Sequence, residues 1–407
     1  MLVDRGAFHA FGAGAKKDKP AKLKSKYVAL SSHRSRYIPP VGYAYGRTVI
    51  KGVPWETLQK GERPSSAVLL IHGGGFYAQT TDHYRRLMKK AIAGTNALAV
   101  LPDYGVMPHN VFPSQIEELT DIYRALTARF EDRILLFGDG VGANLALAVC
   151  LKAREEGLAM PKGIVCVSPF VDMTVSGESY YDHFYFDKRF ANYYLTSPDI
   201  ASELRENGVF EYLHGANRQD PLVSPVFADY KEFPPTYIVT GDYSLFESDA
   251  LALADKMQAD GVDVRLRSFP KKYGAYPLDV PFAAKDKKTI SDFILSLLGK
   301  PTAEEKSKTK KQKTKRVKRH KVSLNTEPIE PQDEEVMLGV GADGSDVVYD
   351  EGDPNSFEAV FGVSKEEANP EPVLTEALNA SESEAERGEQ KADALAPQEK
   401  EEEESNN

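Results

Sequence analysis

Cysteine is nearly absent: the 407 residues hold two, Cys150 and Cys166, each inside an apolar run. Two such thiols do not make a disulfide framework, so a reducing, cytoplasmic setting is expected. No window approaches about 18 uninterrupted apolar residues, so no membrane span is expected. The N-terminus, MLVDRGAFHAFGAGAKKDK, lacks the apolar core of a secretory signal, and none is expected. Histidine is sparse as well, with none between His214 and His320. That gap excludes an imidazole base from more than a hundred residues of the chain. No internal repeat is found, and neither a metal site nor a cofactor is expected.

What is present is unevenly distributed. Residues 1–300 carry 37 Lys+Arg against 34 Asp+Glu, whereas residues 301–322 carry 10 against 2 and residues 323–407 carry 4 against 25. The net charge of −10 therefore belongs to the tail. A segment so poor in apolar residues cannot offset its ordering entropy, so 323–407 is expected to be disordered behind a basic linker at 301–322. The basic run has no interleaved aromatic residue, which weighs against nucleic acid as its partner. It reads more simply as a solvated linker beside the acidic segment, and a protein partner is the remaining expectation for the tail.

From about residue 64 to 299, short apolar strands alternate with amphipathic helices. SAVLLIH (66–72), ALAVLPDY, RILLFGD, GIVCVSP, PPTYIVTG and VDVRLRSFP read as strands. HYRRLMKKAIAG, SQIEELTDIYRALTARF, ANLALAVCLKAREEG and residues 249–260 and 286–298 read as helices. Strict alternation predicts an α/β fold with a mostly parallel sheet covered on both faces. The aromatic-rich stretch from about 172 to 220 breaks that rhythm. It is too long for a simple loop and predicts an insertion forming part of a cap.

Two glycine turns carry the chemistry. HGGGF (72–76) directly follows a strand, where three glycines leave backbone N–H groups free to face an oxyanion. FGDGVGANLALAV (137–149) runs from a strand through a sharp turn into a helix, the setting of a nucleophile elbow. DYGVMPHNVFP (103–113), VSPFVDMTVSGES, DPLVSPVF and FPPTYIVTGDYSLFESDA accompany them in one order. In this collinear set the chain, from about 52 to 298, resembles the hormone-sensitive-lipase-like branch of the α/β-hydrolase fold.

The resemblance implies an α/β-hydrolase domain over 51–300, with residues 1–50 contributing partly to the cap. It implies an oxyanion hole from the N–H groups of Gly74, Gly75 and Val141, with His72, Gly73, Phe76 and Asp139 around the pocket. It also exposes three departures. The nucleophile position falls on Gly140, the acid on Ser244, and the base on Gly274 or a neighbour. Asp242, Glu247 and Asp249 stand near the acid position. Asp139 precedes the apex and reads as a structural acceptor, His72 as a support of its turn, and His183 and His214 as cap residues. Three functions stay open: a pseudo-hydrolase binding a small apolar or ester-like ligand or a protein, an active carboxylic-ester hydrolase with a non-standard catalytic set, and a scaffold for the charged tail. A cleft filled by Tyr273 or Tyr276 would favour the last.

Overall fold

The computed structural model describes residues 37–50, 52–61, 63–184, 186–187, 209–275, 278, 284–302, 338–340 and 346–348. The middle of the expected cap (188–208), Tyr276, and nearly all of the basic and acidic segments lie outside them. The chain divides into Met1–Val363 and Ser364–Asn407, the second wholly outside the described residues.

The strands are β1 (Ala44–Ile50), β2 (Val53–Gln59), β3 (Ser66–Ile71), β4 (Ala97–Pro102), β5 (Ile134–Asp139), β6 (Gly163–Val167), β7 (Thr236–Gly241), β8 (Val264–Phe269), β9 (Leu338–Val340) and β10 (Asp346–Val348). They form one sheet in the order β10-β9-β1-β2-β4-β3-β5-β6-β7-β8. The pairs from β4 to β8 are parallel, while β1 and β2 join antiparallel. The longer helices are α1 (Asp82–Ala91), α2 (Ser114–Phe130), α3 (Val141–Glu155), α4 (Glu247–Ala259) and α5 (Ala284–Leu298).

Every residue of β3 through β7 is buried. That explains their uninterrupted apolar runs, since both faces of a parallel sheet are covered. Alternate side chains serve opposite faces. Leu69, Ile71, Leu136, Ile164 and Ile238 pack with α2, α3 and α4. Val68, Leu70, Leu135, Phe137 and Val239 pack with Leu87 and Met88 of α1 and Ile290, Phe293 and Ile294 of α5. Each such side chain contributes about 1.5–3 kcal/mol on burial. Cys150 and Cys166 are both free and buried, and burial pushes the Cys166 thiol up to about 12.

Two features differ from the sequence reading. The β1–β2 hairpin turns at Gly52 (φ +79°), so the sheet begins ahead of the boundary placed at residue 51. Within the acidic tail, β9 and β10 continue the sheet beyond β1, with Tyr45 opposite Val340. Among the described residues no helix is long and apolar enough to cross a membrane.

Register positions the site. Ile71 lies opposite Gly138, Asp139 opposite Val167, Val167 opposite Val239, and Gly241 opposite Phe269. The turns after β3, β5, β6, β7 and β8 therefore leave the sheet at one level, at the carboxyl ends where open α/β sheets gather their ligands.

Candidate functional site

β5 ends at Asp139, Gly140 turns with φ 55° and ψ −119°, and α3 begins at Val141. The flanking glycines are required by close backbone approach. A Cβ at Gly138 would collide with the Gly142 carbonyl, and one at Gly142 would collide with the Ile71 carbonyl. Gly140 is different, because a Cβ there would meet nothing within 4 Å. Its positive φ favours glycine, but the space it faces is open. The sharp strand-to-helix turn thus has at its apex a residue with no side chain and open space beside it.

The HGGG turn lies against this elbow. Gly74, Gly75 and Phe76 all have positive φ, at 107°, 64° and 65°. The Gly73 N–H donates to Asp139 Oδ1 (3.1 Å) and to the Tyr84 hydroxyl (2.8 Å), which itself donates to Asp139 Oδ2 (3.2 Å). Asp139 is therefore committed to holding two turns together. His72 is buried and stacks on Tyr104 at 4.1 Å, and the Tyr104 hydroxyl donates to the His72 carbonyl (2.6 Å). Its Nδ1–H donates to the Gly73 carbonyl (2.9 Å), and burial lowers the imidazole pKa, which keeps the ring neutral. Phe76 stacks on Tyr212 at 3.6 Å, joining this turn to the cap segment. Among the described residues, no acceptor is bonded to the N–H groups of Gly74, Gly75 or Val141.

Ser244 and Gly274 do come together. The Tyr243 N–H donates to the Lys272 carbonyl (3.0 Å) and the Lys271 N–H to Asp242 Oδ1 (2.5 Å), pinning the loop after β7 to the loop after β8. Ser244 Oγ accepts from the Phe246 N–H (3.1 Å) and pairs with Ser168 Oγ (3.2 Å). A Cβ at 274 would collide with Ser168 Oγ and lie 2.5 Å from Ser244 Oγ. No side chain enters from 274, and the space beside it holds two hydroxyls.

The other candidates are occupied elsewhere. Glu247 accepts from Ser268 Oγ (3.0 Å) and lies 3.5 Å from His183 Nδ1, which donates to the Ser244 carbonyl (3.0 Å). Asp249 is buried and accepts from the Val171 and Asp172 N–H groups and the Tyr180 hydroxyl, and burial raises its pKa to about 7. His214 is exposed with φ 47°. Tyr273 is half-buried at the 274 turn.

Sequence reasoning missed Tyr84, Tyr104 and Ser168. Tyr84 lies on α1, where its spacing reads as ordinary helix. Ser168 looks like the end of a strand, and nothing in VSP announces its φ of 47°.

A family model described as the alpha/beta hydrolase fold matches residues 68–277. An esterase of Acinetobacter venetianus is 26% identical over 246 residues, covering 60% of this chain and 78% of the relative. The hormone-sensitive lipase of Homo sapiens is 33% identical over 121 residues, 28% of this chain and 11% of that protein. The crystal structure of a hormone-sensitive lipase from a metagenome library superposes with a TM-score of 0.60 at 29% identity, covering 70% of this chain and 94% of that one. With a family model matching more than half of its length, the chain belongs to the alpha/beta hydrolase fold family.

Proposed function

We propose that this esterase- and lipase-like member of the family binds a small apolar or ester-like ligand over Gly140 without hydrolysing it. One observation carries the reading: the apex of the elbow has open space and no nucleophile, while the place of the base is closed to any side chain at 274. Acyl transfer needs a nucleophile activated by a base, and neither is supplied at these positions. The N–H groups of Gly74, Gly75 and Val141 remain suited to an oxyanion or carbonyl oxygen, which supports an oxygen-bearing ligand. The 407-residue chain is expected to bind p-nitrophenyl butyrate saturably and release no p-nitrophenolate above the protein-free rate.

A second reading is an active carboxylic-ester hydrolase with a non-standard catalytic set. It is favoured by the relatives, which are named esterases and lipases. His183 is the histidine it would draw on, because that ring contacts both Glu247 and the Ser244 backbone. Turnover that His183→Ala abolishes would select this reading over the first.

A further inference from the structure

We infer that the outer edge of β1 is a strand-addition site, filled within the chain by the acidic segment that carries β9 and β10 (338–348). The edge lies four strands from β5, so the inference stands apart from the reading of the elbow.

β1 is paired with β2 along all seven of its residues, in a continuous antiparallel register from Ala44 opposite Gln59 to Ile50 opposite Val53. Its other edge presents N–H and C=O groups at a spacing that an extended segment can match. Edge strands are ordinarily guarded against such pairing by proline, a bulge or several charges. AYGRTVI has no proline, its register with β2 has no bulge, and Arg47 is its one charge. It also leaves Val49 44% exposed. At the opposite end of the sheet, β8 exposes both Arg265 and Arg267. Of these two strands, β1 is the one built to accept a partner.

The tail segment has what such an edge requires. β9 runs antiparallel to β1 with Val340 opposite Tyr45, and β10 returns along β9 with Val348 opposite Leu338. The sheet thereby ends in a strand of three residues, too short to be a good template for further pairing. Charge supports the match. Residues 333–353 hold eight Asp+Glu and no Lys or Arg. Arg86, Lys89 and Lys90 are exposed on α1, and Lys89 Nζ stands 5.6 Å from the centre of the Tyr43 ring, next to the start of β1. Backbone pairing supplies the affinity of strand addition, and opposite charge favours the encounter. The partner that fits this edge is an extended acidic segment with a short apolar centre.

The test uses the 407-residue chain and a variant carrying Gly339→Pro and Val340→Pro. Two consecutive prolines remove the donor whichever of the two N–H groups faces β1. Amides of β1 are expected to exchange with solvent deuterium at least about tenfold faster in the variant, with those of β3 to β7 unchanged. A synthetic peptide of residues 333–351 should bind the variant, and should bind wild type at least about tenfold more weakly because its own segment fills the edge. A scrambled peptide of the same composition should bind neither. Self-association of the variant that the peptide reverses would also support the site, a second copy having taken the vacated edge. Equal β1 exchange in the two proteins, failure of the variant to bind the peptide, or equal binding of it by both proteins would each overturn the inference. Binding of the scrambled peptide as tightly as the native one would overturn it as well, leaving charge attraction alone.

Discussion

Gly140 and Asp139 are adjacent residues with opposite demands. At 140 only the backbone is constrained, so Gly140→Ser is expected to fold, with a stability loss of about 1 kcal/mol from its positive φ. The variant should still release no p-nitrophenolate, because Gly274 supplies no base; denaturant unfolding and an ester assay check the two halves. At 139 the side chain is the essential part. Asp139→Ala removes the acceptor for Gly73 N–H and for Tyr84, and should cost about 1–3 kcal/mol in urea unfolding. The glycine pattern of both turns was legible in the sequence, because close backbone approach leaves a mark that only glycine satisfies. The hydroxyls of Tyr84 and Ser168 were not, because a tyrosine on a helix and a serine after a strand have many ordinary uses.

Among the elements, the first turn of α4 holds the clearest titratable group. Asp249 is buried against Val171, Asp172 and Tyr180, with its pKa raised from 3.8 to about 7. The folded state thus holds a proton that the unfolded chain releases. Its contribution is complete below about pH 4 and is lost as pH rises towards 7, on the order of 4 kcal/mol in all. Asp249→Asn mimics the protonated form, accepting both N–H groups and donating to Tyr180. It should therefore gain stability over wild type as pH rises from 4 to 7, and equal stabilities across that range in urea titrations would contradict this assignment. The strands β3 to β7 were legible because sheets covered on both faces demand continuous apolar runs. The β1–β2 hairpin escaped notice because YGRTVI and VPWETL mix polar and apolar residues in short alternation. Trp55 and Leu58 are nonetheless fully buried.

For the molecule as a whole, charge and fold are separable. Strands β1 to β8 and the helices draw on a nearly balanced segment, and the excess acid lies beyond residue 322. Truncation after Thr302 removes β9 and β10, which among the described residues pair with the sheet at β1, four strands away from β5. Saturable binding of p-nitrophenyl butyrate should be unchanged in residues 1–302, as titration of the two proteins side by side would show. Loss of binding on truncation would instead make the tail part of the site. The family was legible in the order of several motifs rather than in any one. Gly140 and Gly274 were legible too, but only the structure distinguishes them: a side chain at 140 would meet open space, and one at 274 would meet Ser168 and Ser244.

The central claim is that the elbow binds without catalysing. The most direct measurement is p-nitrophenolate release from p-nitrophenyl butyrate by the 407-residue chain, with binding followed in parallel. The account predicts saturable binding and a release rate equal to that of the protein-free solution. Release above that rate that saturates with substrate, and disappears in His183→Ala, would contradict it.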